Sequence, residues 1–297
     1  MNILVVGGTG FLGSNIAAEA SVQGLTVWVL TRRIDHSKDE IYKTMQGVRR
    51  VTIDELPRFS IITKIDVLVS SAVVYGRSNE KTSEVLDCNV VFPIRVLEMM
   101  GVNKPKYVIN LDTFYNKHDI CDYMFWYSHS KKMGMVLLRE FCRVEGIEFV
   151  NLMLEHVYGP YDSPKKFTTS VFNSLVANSG ELDLTEGLQK RDFIYVTDAA
   201  QAVICAISNI DSALYEKVGT IEVGSGDAIT IRLFVETAKR LSGANTKLCF
   251  GTKVMAYGEL MESSADIRKL SAMGWSVAIG LEEGIKHCLE AVTWKQL

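Results

Sequence analysis

Long hydrophobic runs, paired cysteines and an excess of basic charge are all missing from this 297-residue chain. No apolar run reaches the ~20 residues that a helix needs to cross a bilayer, so a membrane span is not expected. Lysine and arginine total 32 against 35 aspartates and glutamates, giving a net charge of -3. That balance offers no electrostatic footprint for nucleic acid and no polybasic segment for an anionic membrane surface. The six cysteines (Cys88, Cys121, Cys142, Cys205, Cys249 and Cys288) are scattered. None forms a C-x-x-C pair or a zinc-ligand spacing, so no metal site is expected, and reduced thiols of a cytoplasmic protein are. Proline occurs only five times, and no Pro/Gly/Ser linker, repeat or low-complexity tract divides the chain. An apolar strand pattern starts at residue 2, so no signal peptide is expected. A hydrophobic content of 47% is enough to bury a large core, as one α/β unit or as two lobes.

What the chain does have is concentrated first at its N-terminus. Asn2-Ile3-Leu4-Val5-Val6 is continuously apolar, as a strand buried on both faces is. Gly7, Gly10 and Gly13 follow at G-x-x-G-x-x-G spacing, and a helix pattern opens at Ser14. Strand, glycine turn and helix start together make an anion site: glycine lets the backbone approach a pyrophosphate, and the helix N-terminus presents free N–H groups. Gly7, Thr9, Gly10, Phe11, Leu12 and Gly13 are therefore the expected cofactor loop.

A second apolar strand over 24–30 ends at Thr31-Arg32-Arg33. An NAD-selective site carries an acid here to bind the ribose 2′-hydroxyl. A hydroxyl followed by two guanidinium groups suits a 2′-phosphate instead, which favours NADP over NAD, the alternative being solvated loop charge. Residues 48–53 read as a third strand, with Asp54 after it near the expected adenine. Residues 65–74 read as a fourth, running into a turn of small residues where Ser71 and Ala72 leave room for the cofactor. Residues 83–100 have helical periodicity with Pro93 inside it as a bend, and Asn89 on the apolar face reads as a bridge between backbone groups. A fifth strand over 106–111 leads into Asp112-Thr113-Phe114-Tyr115, placed near a ligand because doubly wound sheets bind beyond the carboxyl ends of their strands.

Tyr127 and Lys131 stand four apart at the start of the next helix and share one face. A free phenol titrates near pH ~10, too high for proton transfer at neutral pH. A lysine cation one turn away is expected to lower that value, letting Tyr127 exchange a proton with a carbonyl oxygen while Lys131 also holds the nicotinamide ribose. Farther on, His156 ends the sixth strand (148–154), as either a ligand contact or a satisfied structural histidine. Lys165 and Lys166 follow in a loop, facing a pyrophosphate or solvated. Residues 168–178 read as a helix, 180–188 as a loop, and Asp192 and Asp198 as capping or orienting the helix from Ala199 to Ser208, the alternative being ligand contact.

Gly7 to Gly13, Tyr127-x-x-x-Lys131, Val157-Tyr158-Gly159-Pro160 and Arg191-Asp192-Phe193-Ile194-Tyr195-Val196-x-Asp198 together resemble the extended short-chain dehydrogenase/reductases that act on nucleotide sugars. Residues 110–115 and 149–160 are similar to the CDP-abequose and CDP-paratose synthase branch. The resemblance implies NADPH-dependent reduction of the C4 ketone of a CDP-linked 4-keto-3,6-dideoxyhexose, a step toward surface-polysaccharide sugars, by a homodimer. It also implies a Rossmann-type doubly wound parallel α/β sheet of six or seven strands with a smaller C-terminal lobe. The expected division is 1–160 plus about 190–222 for the dinucleotide and about 161–189 plus 223–297 for the nucleotide sugar. Arg191 is implied to hold the phosphates, with Arg268 in the closing segment assisting them or lying on a helix surface.

One position departs from the pattern. Leu111 stands where the family has a catalytic serine or threonine, so the bond to the substrate oxygen is assigned to Thr113. Asp112 keeps the acid of the family's dehydratases, but Thr113 replaces their glutamate, so dehydration is not expected. Asp112, Thr113, Tyr115, His156, Lys166, Arg191 and Arg268 make the expected substrate set. Two other functions compete with reduction: a 4-epimerase with tightly bound NAD, and a non-catalytic dinucleotide-binding regulator.

Overall fold

The computed structural model describes residues 1–32, 47–117, 122–211 and 219–294; Arg33 and Cys121 lie outside the described residues. The strands are β1 (Asn2–Val6), β2 (Thr26–Thr31), β3 (Val48–Thr52), β4 (Val67–Ser70), β5 (Tyr107–Thr113), β6 (Glu148–Leu154), β7 (His156–Tyr158), β8 (Glu181–Leu184), β9 (Lys190–Tyr195), β10 (Thr220–Val223), β11 (Ala228–Thr230), β12 (Lys247–Phe250) and β13 (Glu262–Ser263). Among the described residues, seven of them form one parallel sheet in the order β3-β2-β1-β4-β5-β6-β10. The chain enters at β1, steps outward to β3, then crosses back to β4. The order therefore reverses between β1 and β4, and a crevice opens beyond their carboxyl ends. This is the Rossmann-type α/β sheet expected from the sequence.

Helices cover both faces, which is why the strands are continuously apolar rather than alternating. Helices Phe11–Val22 and Val196–Ser208 pack on one face through Ile16, Ala20, Val203 and Ile207. Helices Leu56–Ile62, Phe92–Met99 and Phe125–Glu145 cover the other through Leu56, Leu97 and Leu138. A separate core around Tyr158, Phe172 and Phe234 joins β9 to helices Phe167–Val176, Ile231–Ser242 and Leu281–Trp294. No helix among the described residues is long and apolar enough to cross a membrane.

Several local expectations change. β4 stops at Ser70, and residues 71–75 cross the strand ends without regular structure. The segment read as a loop over 180–188 contains β8, which pairs in parallel with β12 more than sixty residues later. Nothing local announces so short a strand; its partner creates it. Asp192 does not cap a helix. Its carboxylate accepts hydrogen bonds from the backbone N–H groups of Ser225, Gly226 and Ala265, fastening two later loops to β9. Asp198 reaches forward to the Ile279 N–H.

Pro93 produces a π-helical turn rather than a simple bend. Helix Thr82–Leu86 passes through a π segment, Asp87–Val91, into helix Phe92–Met99. Proline has no N–H to give the Asn89 carbonyl four residues back, and a widened turn accommodates the loss. Helix Phe125–Glu145 approaches that carbonyl through Gly134, where any Cβ would collide with the Asn89 oxygen. Gly134→Ala is expected to destabilise the protein by about 1–3 kcal/mol through overpacking, despite a helix-propensity gain of about 1 kcal/mol. Urea unfolding compared with the parent protein measures the difference.

Candidate active site

The glycine loop leaves β1 with Gly7 at φ +86, a left-handed conformation that suits glycine. Its missing side chain also matters, because a Cβ would lie 2.5 Å from the Ala72 nitrogen. A Cβ on Gly13 would lie 2.8 Å from Ser71 Oγ and collide with the Gly7 carbonyl oxygen. The loop is closed by the Gly10 N–H donating to the Gly7 carbonyl at 2.9 Å, and the Ser71 hydroxyl donates to Val6 O at 2.8 Å. Helix Phe11–Val22 then starts with no side-chain cap and no acid in its first turn, so its N–H groups point into the crevice without a protein anion. At the end of β2, Thr31 Oγ1 is buried with no hydrogen-bond partner among the described residues, beside exposed Arg32. A glycine cradle, uncapped helix and orphaned hydroxyl at the adjacent strand end fit a dinucleotide. Asp54 follows β3 and is exposed.

Tyr127 and Lys131 lie in the first two turns of helix Phe125–Glu145, 8% and 7% exposed. The Tyr127 hydroxyl faces the Thr113 side chain at the end of β5. Lys131 Nζ donates to the Leu111 carbonyl at 2.6 Å. Leu111 thus contributes its backbone to the site, while its side chain packs in the core. Burial pushes the Tyr127 phenol well above its ordinary value, Tyr75 adds to that, and the Thr113 hydrogen bond opposes it. Burial also lowers the Lys131 ammonium, with Asp112 acting in the other direction. The expectation that Lys131 draws the phenol down is therefore corrected: burial dominates, and the lysine serves Leu111 instead.

The expected substrate residues divide. Asp112 is 3% exposed and its oxygens are taken by the Thr113 N–H, Asn116 and Asn151, with Asn110 extending the string. These bonds hold the turn that follows β5. Arg268 is exposed on its helix and bonded to its near neighbour Asp266. Tyr115, Tyr127 and Phe114 form an aromatic cluster with Tyr75, Tyr123 and Leu260. Arg191 is 3% exposed, 3.2 Å from Glu259 and 5.8 Å from the Phe114 ring centre. Lys166 is the residue before helix Phe167–Val176, not a free loop cation. Its ammonium pairs with Asp162 at 2.9 Å and lies 5.2 Å and 5.4 Å from the rings of Phe11 and Tyr75.

Sequence reasoning passed over Tyr75, Arg77, Asp162 and Glu259. Tyr75 and Arg77 carried one usable signal, their place a few residues past the carboxyl end of β4. Glu259 and Asp162 carried none, because only tertiary packing sets them beside Arg191 and Lys166.

Residues 3–224 match the NAD dependent epimerase/dehydratase family. The chain is 31% identical to a CDP-abequose synthase of Salmonella muenchen over 97% of its own length and 96% of the relative's. It is 26% identical to a putative UDP-glucose 4-epimerase of Methanocaldococcus jannaschii over 98% and 97%. Its fold superposes on UDP-glucose 4-epimerase of Thermotoga maritima, solved with UDP-glucose, with a TM-score of 0.81 at 20% identity over both whole chains. The protein belongs to the NAD dependent epimerase/dehydratase family and is an enzyme of the extended short-chain dehydrogenase/reductase type.

Burial pushes the His156 imidazole down to about 3, assisted by the cations of Lys166, Arg191 and Arg77. The folded protein therefore holds His156 neutral where the unfolded chain, titrating near pH ~6.5, binds a proton. A base with a depressed folded pKa adds stability that is present above the unfolded value and lost as pH falls toward the folded one. His156→Asn is expected to flatten the stability curve between pH ~6.5 and the folded value of about 3. Urea midpoints measured across that range give the comparison, and parallel curves would show that His156 is not the source.

Proposed function

We propose that this enzyme is an NADPH-dependent nucleotide-sugar 4-ketoreductase. Its substrate in this reading carries a 4-keto-6-deoxy or 3,6-dideoxy hexose on a nucleoside diphosphate, CDP-linked, on the way to a surface-polysaccharide sugar. The facing hydroxyls of Thr113 and Tyr127 carry the reading, in a chain whose relative at 31% identity is named CDP-abequose synthase. Two hydroxyls converging on one point suit a carbonyl oxygen: Thr113 orients it and Tyr127 delivers its proton. Burial keeps Tyr127 a neutral phenol, which is the form that donates. Asp112, enclosed by its own partners, takes no part in removing water.

NADPH, when bound, supplies the hydride. Gly7, Thr9, Gly10, Phe11, Leu12 and Gly13 bind its pyrophosphate in this reading. Thr31, Arg32 and Arg33 take the 2′-phosphate, Asp54 lies toward the adenine, and Ser71 and Ala72 give clearance. Lys131 holds both the Leu111 carbonyl and the ribose. Arg191 and Lys166 bind the substrate diphosphate, with Glu259 and Asp162 orienting their head groups.

The test is to incubate purified protein with a CDP-linked 4-keto-3,6-dideoxyhexose and NADPH or NADH, following nicotinamide absorbance. Stoichiometric NADPH oxidation, faster than with NADH, is expected. Tyr127→Phe should lower kcat about a hundredfold or more while NADPH binding stays within about twofold. A second reading, a nucleotide-sugar 4-epimerase with tightly bound NAD, is favoured by the name of the Methanocaldococcus relative. Interconversion of nucleotide-sugar epimers without consumption of added cofactor would replace the first reading with the second.

The same proposal includes a homodimer. Trp126, Met133, Leu137 and Val144 are 51%, 51%, 44% and 69% exposed on helix Phe125–Glu145. Their spacing of seven, four and seven puts them on one face, as in a helix seam. Leu137→Lys is expected to shift the protein to monomer in sedimentation velocity; an unchanged dimer would place the interface elsewhere.

A further inference from the structure

Tyr75 stands where three walls of the crevice meet. Its ring centre is 4.8 Å from that of Tyr127, with the planes 31° apart. Its hydroxyl faces Lys166, whose ammonium lies 5.4 Å from the ring centre. That ammonium also faces Phe11 of the glycine loop and is anchored by Asp162, whose side chain is 2% exposed. A second cation, Arg77, lies 5.8 Å from the Tyr75 ring centre, and its guanidinium contacts Met124 Sδ at 2.6 Å.

The backbone that carries Tyr75 is held just as closely. Asn89 accepts from the Val74 N–H and donates to the Val74 carbonyl, both at 2.9 Å, pairing fully with the residue before Tyr75. The same carboxamide donates to Ser130 Oγ at 2.9 Å, one residue before Lys131. The loop after β4 and the helix bearing Tyr127 are thus locked to one buried side chain. The two tilted rings sit at the end of that lock.

We propose that Tyr75 is a positioning residue for Tyr127: its ring holds the phenol's orientation, and its hydroxyl ties that orientation to Lys166 on the ligand-binding wall. This rests on reading Tyr127 as the proton donor. An anion drawn to Lys166 then acts on the same side chain that aligns the donor, so substrate binding and proton delivery are coupled through Tyr75. Aromatic packing supplies the alignment and the contact of the Lys166 ammonium with Tyr75 supplies the link.

Tyr75→Phe keeps the ring and cuts the link; Tyr75→Leu removes both. With the CDP-linked ketosugar as substrate, Tyr75→Leu is expected to lower kcat about tenfold or more while the dissociation constant for NADPH stays within about twofold. Tyr75→Phe should change kcat less, and should lose non-additively with Lys166→Met in a double-mutant cycle. A readout independent of turnover is the ionisation of Tyr127, taken as the ultraviolet difference titration between the protein and its Tyr127→Phe variant. Repeated in the Tyr75→Phe background, that titration should move by about half a pH unit or more. Wild-type kcat in Tyr75→Leu, or an unmoved titration and additive effects in Tyr75→Phe, would overturn the proposal. Failure of the wild type to reduce any nucleotide ketosugar would instead count against the proposed activity, leaving the titration to decide the role of Tyr75.

Discussion

The carboxamide of Asn89 is the contact on which the arrangement of the site depends. It pairs with both backbone groups of Val74 and with Ser130, so one side chain sets the loop after β4 against helix Phe125–Glu145. A buried amide satisfied on all sides resists displacement, because any shift leaves a donor or acceptor unpaired at a cost of about 1–3 kcal/mol. Its own position comes from the π-helical turn that Pro93 imposes and from the gap left at Gly134. Backbone irregularity, close helix approach and side-chain bridge are three parts of one device.

Around that device the crevice is built from backbone as much as from side chains. The cofactor loop depends on absences, the side chains missing at Gly7 and Gly13 against Ser71 and Ala72. Leu111 acts through its carbonyl, which anchors Lys131. Replacing the expected hydroxyl by leucine therefore costs the site no bond to the lysine, and Thr113 supplies a hydroxyl to Tyr127 two residues later. Buried acids follow the same logic. Asp112 and Asp192 are each surrounded by N–H donors and hold loops in place.

Electrostatics in the crevice are set by burial first. The phenol of Tyr127 and the ammonium of Lys131 both shift toward their neutral forms, which is what desolvation does to any ionisable group. His156 shifts the same way, with three cations adding to the effect. A four-residue spacing along a helix brings two side chains to one face, but whether their charges interact depends on what else each one meets. Lys131 meets a carbonyl, and that contact takes the place of the expected pairing.

The sequence by itself determined the Rossmann-type sheet, the glycine loop, the shared face of Tyr127 and Lys131, and the bridging role of Asn89. All of these are written in local periodicity, glycine spacing or a polar residue on an apolar face, and a short window of chain is enough to specify them. Only the tertiary structure decided that β8 is a strand, that Asp192 fastens distant loops, that Arg268 lies on the surface, and that Tyr75 packs against Tyr127 beside Lys166. Those outcomes depend on partners tens of residues away, whose meeting is set by the packing of whole helices on the sheet and leaves no local pattern to read.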